Sequence, residues 1–267
     1  MLHKLRNHPL FASFLIIILY AAWFIIPVFF TTLDSNSEGL SDITNLIYQW
    51  ETQVVITLAL IIILTFLKWW RVIGFTHTYK GGLKFLIPPL LFLTILFVMA
   101  LTVDKGDTWF LGFTSLKQLL TFLLILFMLG FTEEAIFRGI LFHGLETKFT
   151  PLTTVILSAL IFGLFHYINM FIGADFYATT YQVVHAAAAG FMYATLRLRI
   201  GAIWPVMLFH SIWDIGLVII SSIQHSSTEA TQTNSSFSVI YALLLIFPAL
   251  AYGIFVYWRW SLWSNKN

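Results

Sequence analysis

The chain reads as an all-α protein, a polytopic bundle of about eight transmembrane helices with both termini cytoplasmic. Sparse charge, a series of apolar runs of membrane length, and basic residues sorted to one side of those runs all point to this architecture. Hydrophobic residues make up 59% of the 267 residues and charged residues 10%, against roughly 25% charged in ordinary soluble domains. So few charges cannot cover a surface that faces water, so most of this surface faces lipid. A formal charge of +2 with no basic stripe gives no sign of a nucleic-acid partner. The absence of cysteine excludes disulfides, thiol nucleophiles and Cys-ligated zinc.

Taken in order, the apolar runs are 9–30, 52–70, 84–103, 116–144, 151–172, 178–197, 201–222 and 237–258, each near the roughly 20 residues a crossing helix needs. The first follows Lys4 and Arg6 as a signal peptide would. Its 22 residues from Pro9 to Phe30 exceed a signal core of about 7–15, so it reads as a retained span. The sequence divides into three N-terminal spans over 1–110, a core over 115–220, and an external loop, last span and tail over 221–267, all in one membrane unit. The polar stretch Ser221 to Ser236 is the expected external loop. Ala159 with Gly163, and Ala186 to Gly190, have the small-residue spacing that lets helices approach closely. No internal repeat supports an inverted-repeat transporter.

With the N-terminus inside, Lys4, Arg6, Lys68, Arg71, Lys80, Lys84, Arg138, Lys148, Arg197, Arg199, Arg259 and Lys266 fall on the inner side, leaving Lys105 and Lys117 outside. Twelve of fourteen basic residues on one side is the bias that sets orientation. One missed span would scramble it. Trp69, Trp70, Trp258, Trp260 and Trp263 fall at the inner boundaries expected of an aromatic belt.

Ionisable residues at membrane depth are costly and so mark functional candidates. The fourth run holds Glu133, Glu134 and Arg138, the fifth His166, and the seventh His210 and Asp214. In a hairpin of the fourth and fifth runs centred on 149–150, positions 133 and 166 are equally far from the turn, roughly 25 Å along each helix. His210 and Asp214, counted from Arg199, fall within a turn or two of that depth. On an α-helix Glu134 and Arg138 share a face and can pair, while Glu133 points about 100° away. His210 and Asp214 share a face by the same spacing. The set offers one carboxylate neutralised by arginine, one unpaired carboxylate and two imidazoles. Glu133 with His166 can take a proton from water that attacks a peptide carbonyl, His210 can stabilise the oxyanion, and Asp214 can orient or charge His210. Glu134 and Arg138 read as shaping the site. His143 and His185, with no such partners, read as packing or interfacial residues.

Glu133, His166 and His210 would also make a catalytic zinc set with an open position for water. Nothing in the spacing demands a metal and no H-E-x-x-H occurs, so the metal-free reading comes first, with Zn²⁺ as the alternative.

Three motifs, Glu133-Glu134-x3-Arg138, Phe162-x3-His166 and His210-x3-Asp214, stand in the order that marks the CPBP family of CAAX proteases and bacteriocin-processing enzymes, once called the Abi family. The chain resembles that family over roughly residues 115–220, and the flanks Phe137-Arg138-Gly139 and Gly201-Ala202-Ile203-Trp204-Pro205 fit as well. The resemblance implies an intramembrane endopeptidase in a bacterial cell membrane, acting on a small peptide or a membrane-protein substrate. It implies Glu133 as the water-activating carboxylate, His166 as its partner, and His210 with residue 214 as the oxyanion site. Family members include both metalloproteases and glutamate-dependent enzymes. Asp214 stands where the family often has Asn, and an ionised carboxylate there would repel an oxyanion. The alternative is a non-catalytic protein of bacteriocin self-immunity or membrane interaction that keeps the cluster for shape.

Overall fold

In lipid, every backbone N–H and C=O must find its partner within the protein, and a helix supplies all of those partners locally. The apolar runs fold accordingly. The computed structural model describes residues 2–31, 50–103, 115–228 and 235–265, and holds no strand among them. The elements are α1 (Leu2–Asn7), α2 (Pro9–Thr31), α3 (Trp50–Leu67), a 3₁₀ turn (Leu83–Leu86) leading into α4 (Ile87–Val103), α5 (Leu116–Glu133), a π-helix (Glu134–Leu141), α6 (Phe142–Glu146), α7 (Pro151–Phe165), a 3₁₀ segment (His166–Ile172), α8 (Phe176–Ile200), α9 (Trp204–Thr228) and α10 (Ser235–Ser264).

Helix starts follow local chemistry. The side chains of Ser115, Thr150 and Asp175 accept the N–H groups of Gln118, Thr153 and Ala178 at 3.3, 3.4 and 2.9 Å, and Pro151 opens α7 where no N–H is needed.

Among the described residues, Leu116–Glu146, Pro151–Phe171 and Leu243–Ser264 are long and apolar enough to cross a membrane. Pro9–Ile25, Glu51–Leu67, Leu83–Met99 and Trp204–Ile220 are apolar over shorter lengths. The expected sixth span, 178–197, falls within α8, which is longer but less apolar, with Thr179, Thr180, Gln182, His185, Arg197 and Arg199 along it. α8 packs against α7 and α10, and its second half, from Ala186 onward, is largely buried. Gly163 on α7 makes this approach possible: a Cβ there would lie 2.7 Å from the Ala187 side chain and from the Val183 carbonyl.

Three features depart from the sequence expectation. The fourth run is not one α-helix, because it widens into the π-helix at Glu134. The polar stretch from Ser221 is not loop at its start: α9 continues to Thr228, since extending a formed helix needs only one further hydrogen bond per residue. Residues 229–234 of that stretch, with Lys105 and Lys266, lie outside the described residues. Trp69 is no belt residue. It is 4% exposed, and its ring meets His143 at 5.9 Å.

Among the described residues, two large apolar clusters hold the bundle, beside a small third of Phe142, Val155 and Ala194. Phe85, Leu93, Met192, Phe209, Trp213 and Val256 join α4, α8, α9 and α10. Tyr20, Leu60, Ile73, Phe137, Ile140 and Phe162 join α2, α3, the π-helix and α7.

Candidate active site

The last turn of α5 is fixed by a polar latch. Thr132 donates to the Met128 carbonyl at 2.8 Å, accepts from Gln53 Nε2 at 3.2 Å, and meets the Thr57 hydroxyl at 3.3 Å. This ties α5 to α3 immediately before Glu133. At Glu134 the backbone N–H is shared between the carbonyls of Gly130 and Phe131, and the π-helix begins. Such widened turns displace the hydrogen-bond ladder by one residue and are frequent at functional sites. Ser158 of α7 donates its hydroxyl to the Phe137 carbonyl at 2.9 Å. The Phe137 and Phe162 rings, equally far from the 149–150 turn, meet at 5.0 Å.

Glu134 and Arg138 are fully buried. Glu134 Oε1 lies 3.0 Å from Arg138 Nη1 and 2.9 Å from His210 Nδ1. A carboxylate only accepts, so His210 Nδ1 carries the proton of that bond. The Arg138 nitrogens make no aligned hydrogen bond. Charge holds the guanidinium to Glu134, and its carbon lies 3.9 Å from the Phe162 ring centre and 5.3 Å from that of Tyr193. Room for it comes from Gly190, where a Cβ would stand 2.6 Å from Arg138 Nη2 and 3.0 Å from the Phe162 ring.

His210, 4% exposed, turns its other nitrogen the opposite way. Nε2 is 3.4 Å from Asp214 Oδ2 and 3.7 Å from Glu133 Oε2. The Tyr193 ring packs on the imidazole at 4.7 Å. His166 stands where α7 tightens to 3₁₀, its own N–H bound by the carbonyls of Gly163 and Leu164. Its Nδ1 lies 2.9 Å from the Phe162 carbonyl. A carbonyl can only accept, so the proton sits on Nδ1 and Nε2 keeps its lone pair.

Glu133, His166, His210 and Asp214 line one cavity of about 430 Å³ with Tyr20 and Gln53. Its amides come from Gln53, Asn169 and Gln182, and most of the remaining wall is apolar. Four of the six residues singled out in the sequence therefore face one space. The other two, Glu134 and Arg138, sit behind it and hold His210. Glu133 and His166 share the cavity without a direct contact among the described residues, and the imidazole recorded against Glu133 is that of His210. His185 stacks between Tyr181 and Trp213 at 6.5 and 6.4 Å. His143, expected to lack a partner, lies 3.2 Å from Glu146.

Sequence reading passed over Gln53 and Tyr193, and took Gly190 only as part of a small-residue helix spacing. The only available signal for Gln53 was a polar residue four positions before Thr57 in an apolar run. Gly190 was legible only as a small residue, because the group it admits comes from another helix.

Glu133, His166 and His210 are the donors a zinc ion would need. Among the described residues no three His, Asp or Glu side chains converge as a metal-ligand set. The chemistry below is derived from the side chains alone.

Searches of curated proteins and of solved structures return no match. A family model does match, on the segment that carries all six residues. Residues 115–216 carry a domain of the family described as Type II CAAX prenyl endopeptidase Rce1-like, and so of the CAAX protease (CPBP) family whose motifs the sequence displays.

Proposed function

We propose that the chain is an intramembrane endopeptidase that hydrolyses a peptide bond of a small peptide or a membrane protein with water activated at Glu133. One observation carries this reading: the Glu133 carboxylate, which is not engaged by Arg138, an imidazole with a free lone pair and a second imidazole braced by Glu134 all line one cavity.

Water held between Glu133 and His166 Nε2 gives its proton to the Glu133 carboxylate as its oxygen attacks the carbonyl carbon. The carbonyl π electrons pass to oxygen. His210, with both nitrogens protonated, gives Nδ1–H to Glu134 and turns Nε2–H toward the new oxyanion. Collapse re-forms the C=O and breaks the C–N bond, and the leaving amine takes the proton from Glu133. Asp214, 3.4 Å from His210 Nε2, orients and balances the imidazolium before the oxyanion forms. The amides of Gln53, Asn169 and Gln182 offer donors and acceptors to the backbone of an extended substrate.

We further read the chain as a multi-pass protein with both termini cytoplasmic, supported by the charge sorting. Residues from the inner segments meet at one end of the bundle. Arg6 donates to the Phe66 carbonyl at 2.5 Å, the Tyr79 N–H to Ile200 at 2.7 Å, and the Thr76 hydroxyl to Gly201 at 2.9 Å.

The test uses the purified full chain in lipid vesicles with a peptide library. Glu133→Gln should lower kcat by about 10²–10⁴-fold with KM little changed. A Glu133→Gln protein that is folded and still cleaves at the native rate would sink the proposal.

A further inference from the structure

A second polar site stands at the end of the bundle where α8 stops. Arg199, in the last turn of α8, is 7% exposed. Its guanidinium carbon is 4.6 Å from the Phe85 ring centre and 5.5 Å from that of Trp263. Two of its nitrogens, Nε and Nη1, are buried with no hydrogen-bond partner. The rings supply attraction to the charge and the carbonyl end of α8 adds a weak favourable field, but neither gives those N–H groups an acceptor. Buried donors without acceptors are costly, charged ones most of all.

The surroundings add positive charge. The charge that bears on Arg199 is Arg259 of α10, another cation. Lys84 Nζ lies 5.9 Å from the same Phe85 ring. Among the described residues no carboxylate pairs with Arg199, Lys84 or Arg259. The walls are fixed: the Tyr79 N–H binds Ile200, the Tyr252 hydroxyl binds the Phe85 carbonyl at 2.7 Å, and the Tyr79 ring packs on Trp263 at 4.8 Å. Three helical elements thus present three cations, the braced guanidinium among them, and no anion among the described residues.

We propose that Arg199, with Lys84 and Arg259, binds the phosphate of an anionic lipid headgroup at the inner membrane surface. A phosphate oxygen supplies the acceptors that Nε and Nη1 lack, and guanidinium and phosphate match in shape as well as charge. Tyr79 and Trp263 are the ring types that settle at headgroup level, and basic pockets between helices on the cytoplasmic side suit such headgroups. Arg199 is nine residues beyond Gly190, roughly 14 Å along α8 from the Arg138 level, so the site is separate from the cavity. It does not depend on the protein being a peptidase.

The experiment places the full chain in phosphatidylcholine nanodiscs with a minority of phosphatidylglycerol and counts lipids retained by native mass spectrometry. Lys84 and Arg259 are both exposed, so Lys84→Gln/Arg259→Gln should leave the fold intact. Each charge removed should weaken phosphatidylglycerol retention about fivefold. A control at the same end, Lys68→Asn/Arg71→Gln, removes equal charge from exposed positions and should retain the lipid. Displacement by millimolar inorganic phosphate would keep the site and assign its anion to free phosphate. Retention no better than that of phosphatidylcholine, or equal loss in the control, would overturn the proposal.

Discussion

Glu133 and Glu134 are neighbours in sequence and take opposite places in the site. Glu133 faces the cavity, whereas Glu134 is fully buried between Arg138 and His210. Removing the Glu134 charge strips Arg138 of its counter-ion, and breaking a buried pair in this way costs about 3–5 kcal/mol. Glu134→Gln should therefore lower the unfolding midpoint in detergent, and Glu134→Gln/Arg138→Met should recover much of that loss without restoring hydrolysis. Equal loss in single and double variants would show that the pair does not govern stability. The pairing itself was legible in the sequence, because i,i+4 neighbours meet on a helix. That the same carboxylate also braces His210 was not, because that contact joins residues 76 positions apart.

At the scale of elements, the π-helix from Glu134 to Leu141 and the tightened turn at His166 aim the site. Neither departs from an α-helix by more than one residue per turn, so the spacing of apolar residues carries no sign of them. The hairpin depth argument still holds at Phe137 and Phe162, whose rings meet across it. The bond from Ser158 to Phe137 satisfies a carbonyl of the widened turn, and Ser158→Ala should cost about 1 kcal/mol, read from the shift in unfolding midpoint. Gly190→Ala would crowd Arg138 and Phe162. It should cost about 1–3 kcal/mol and reduce turnover, since a displaced Arg138 moves Glu134 and with it His210. Full activity in Gly190→Ala would show that the guanidinium has room to spare.

For the whole molecule, sparse charge and the basic bias made the helical membrane architecture legible, and the motif order made the family legible. Composition alone missed the character of α8, whose polar residues Thr179, Thr195 and Arg199 are buried within the bundle. With no native cysteine, orientation is testable by single substitutions at the exposed positions Thr147 and Ala174. In intact cells an impermeant thiol reagent should label Ala174→Cys and spare Thr147→Cys, and the reverse pattern would invert the topology. The most direct measurement compares, by mass spectrometry, the peptides released by cells making the native chain and the Glu133→Gln form at equal levels. Peptides present with the native chain and absent with Glu133→Gln are the expected result. Identical profiles would contradict a peptidase that works through Glu133 and would leave the cluster a role in shape alone.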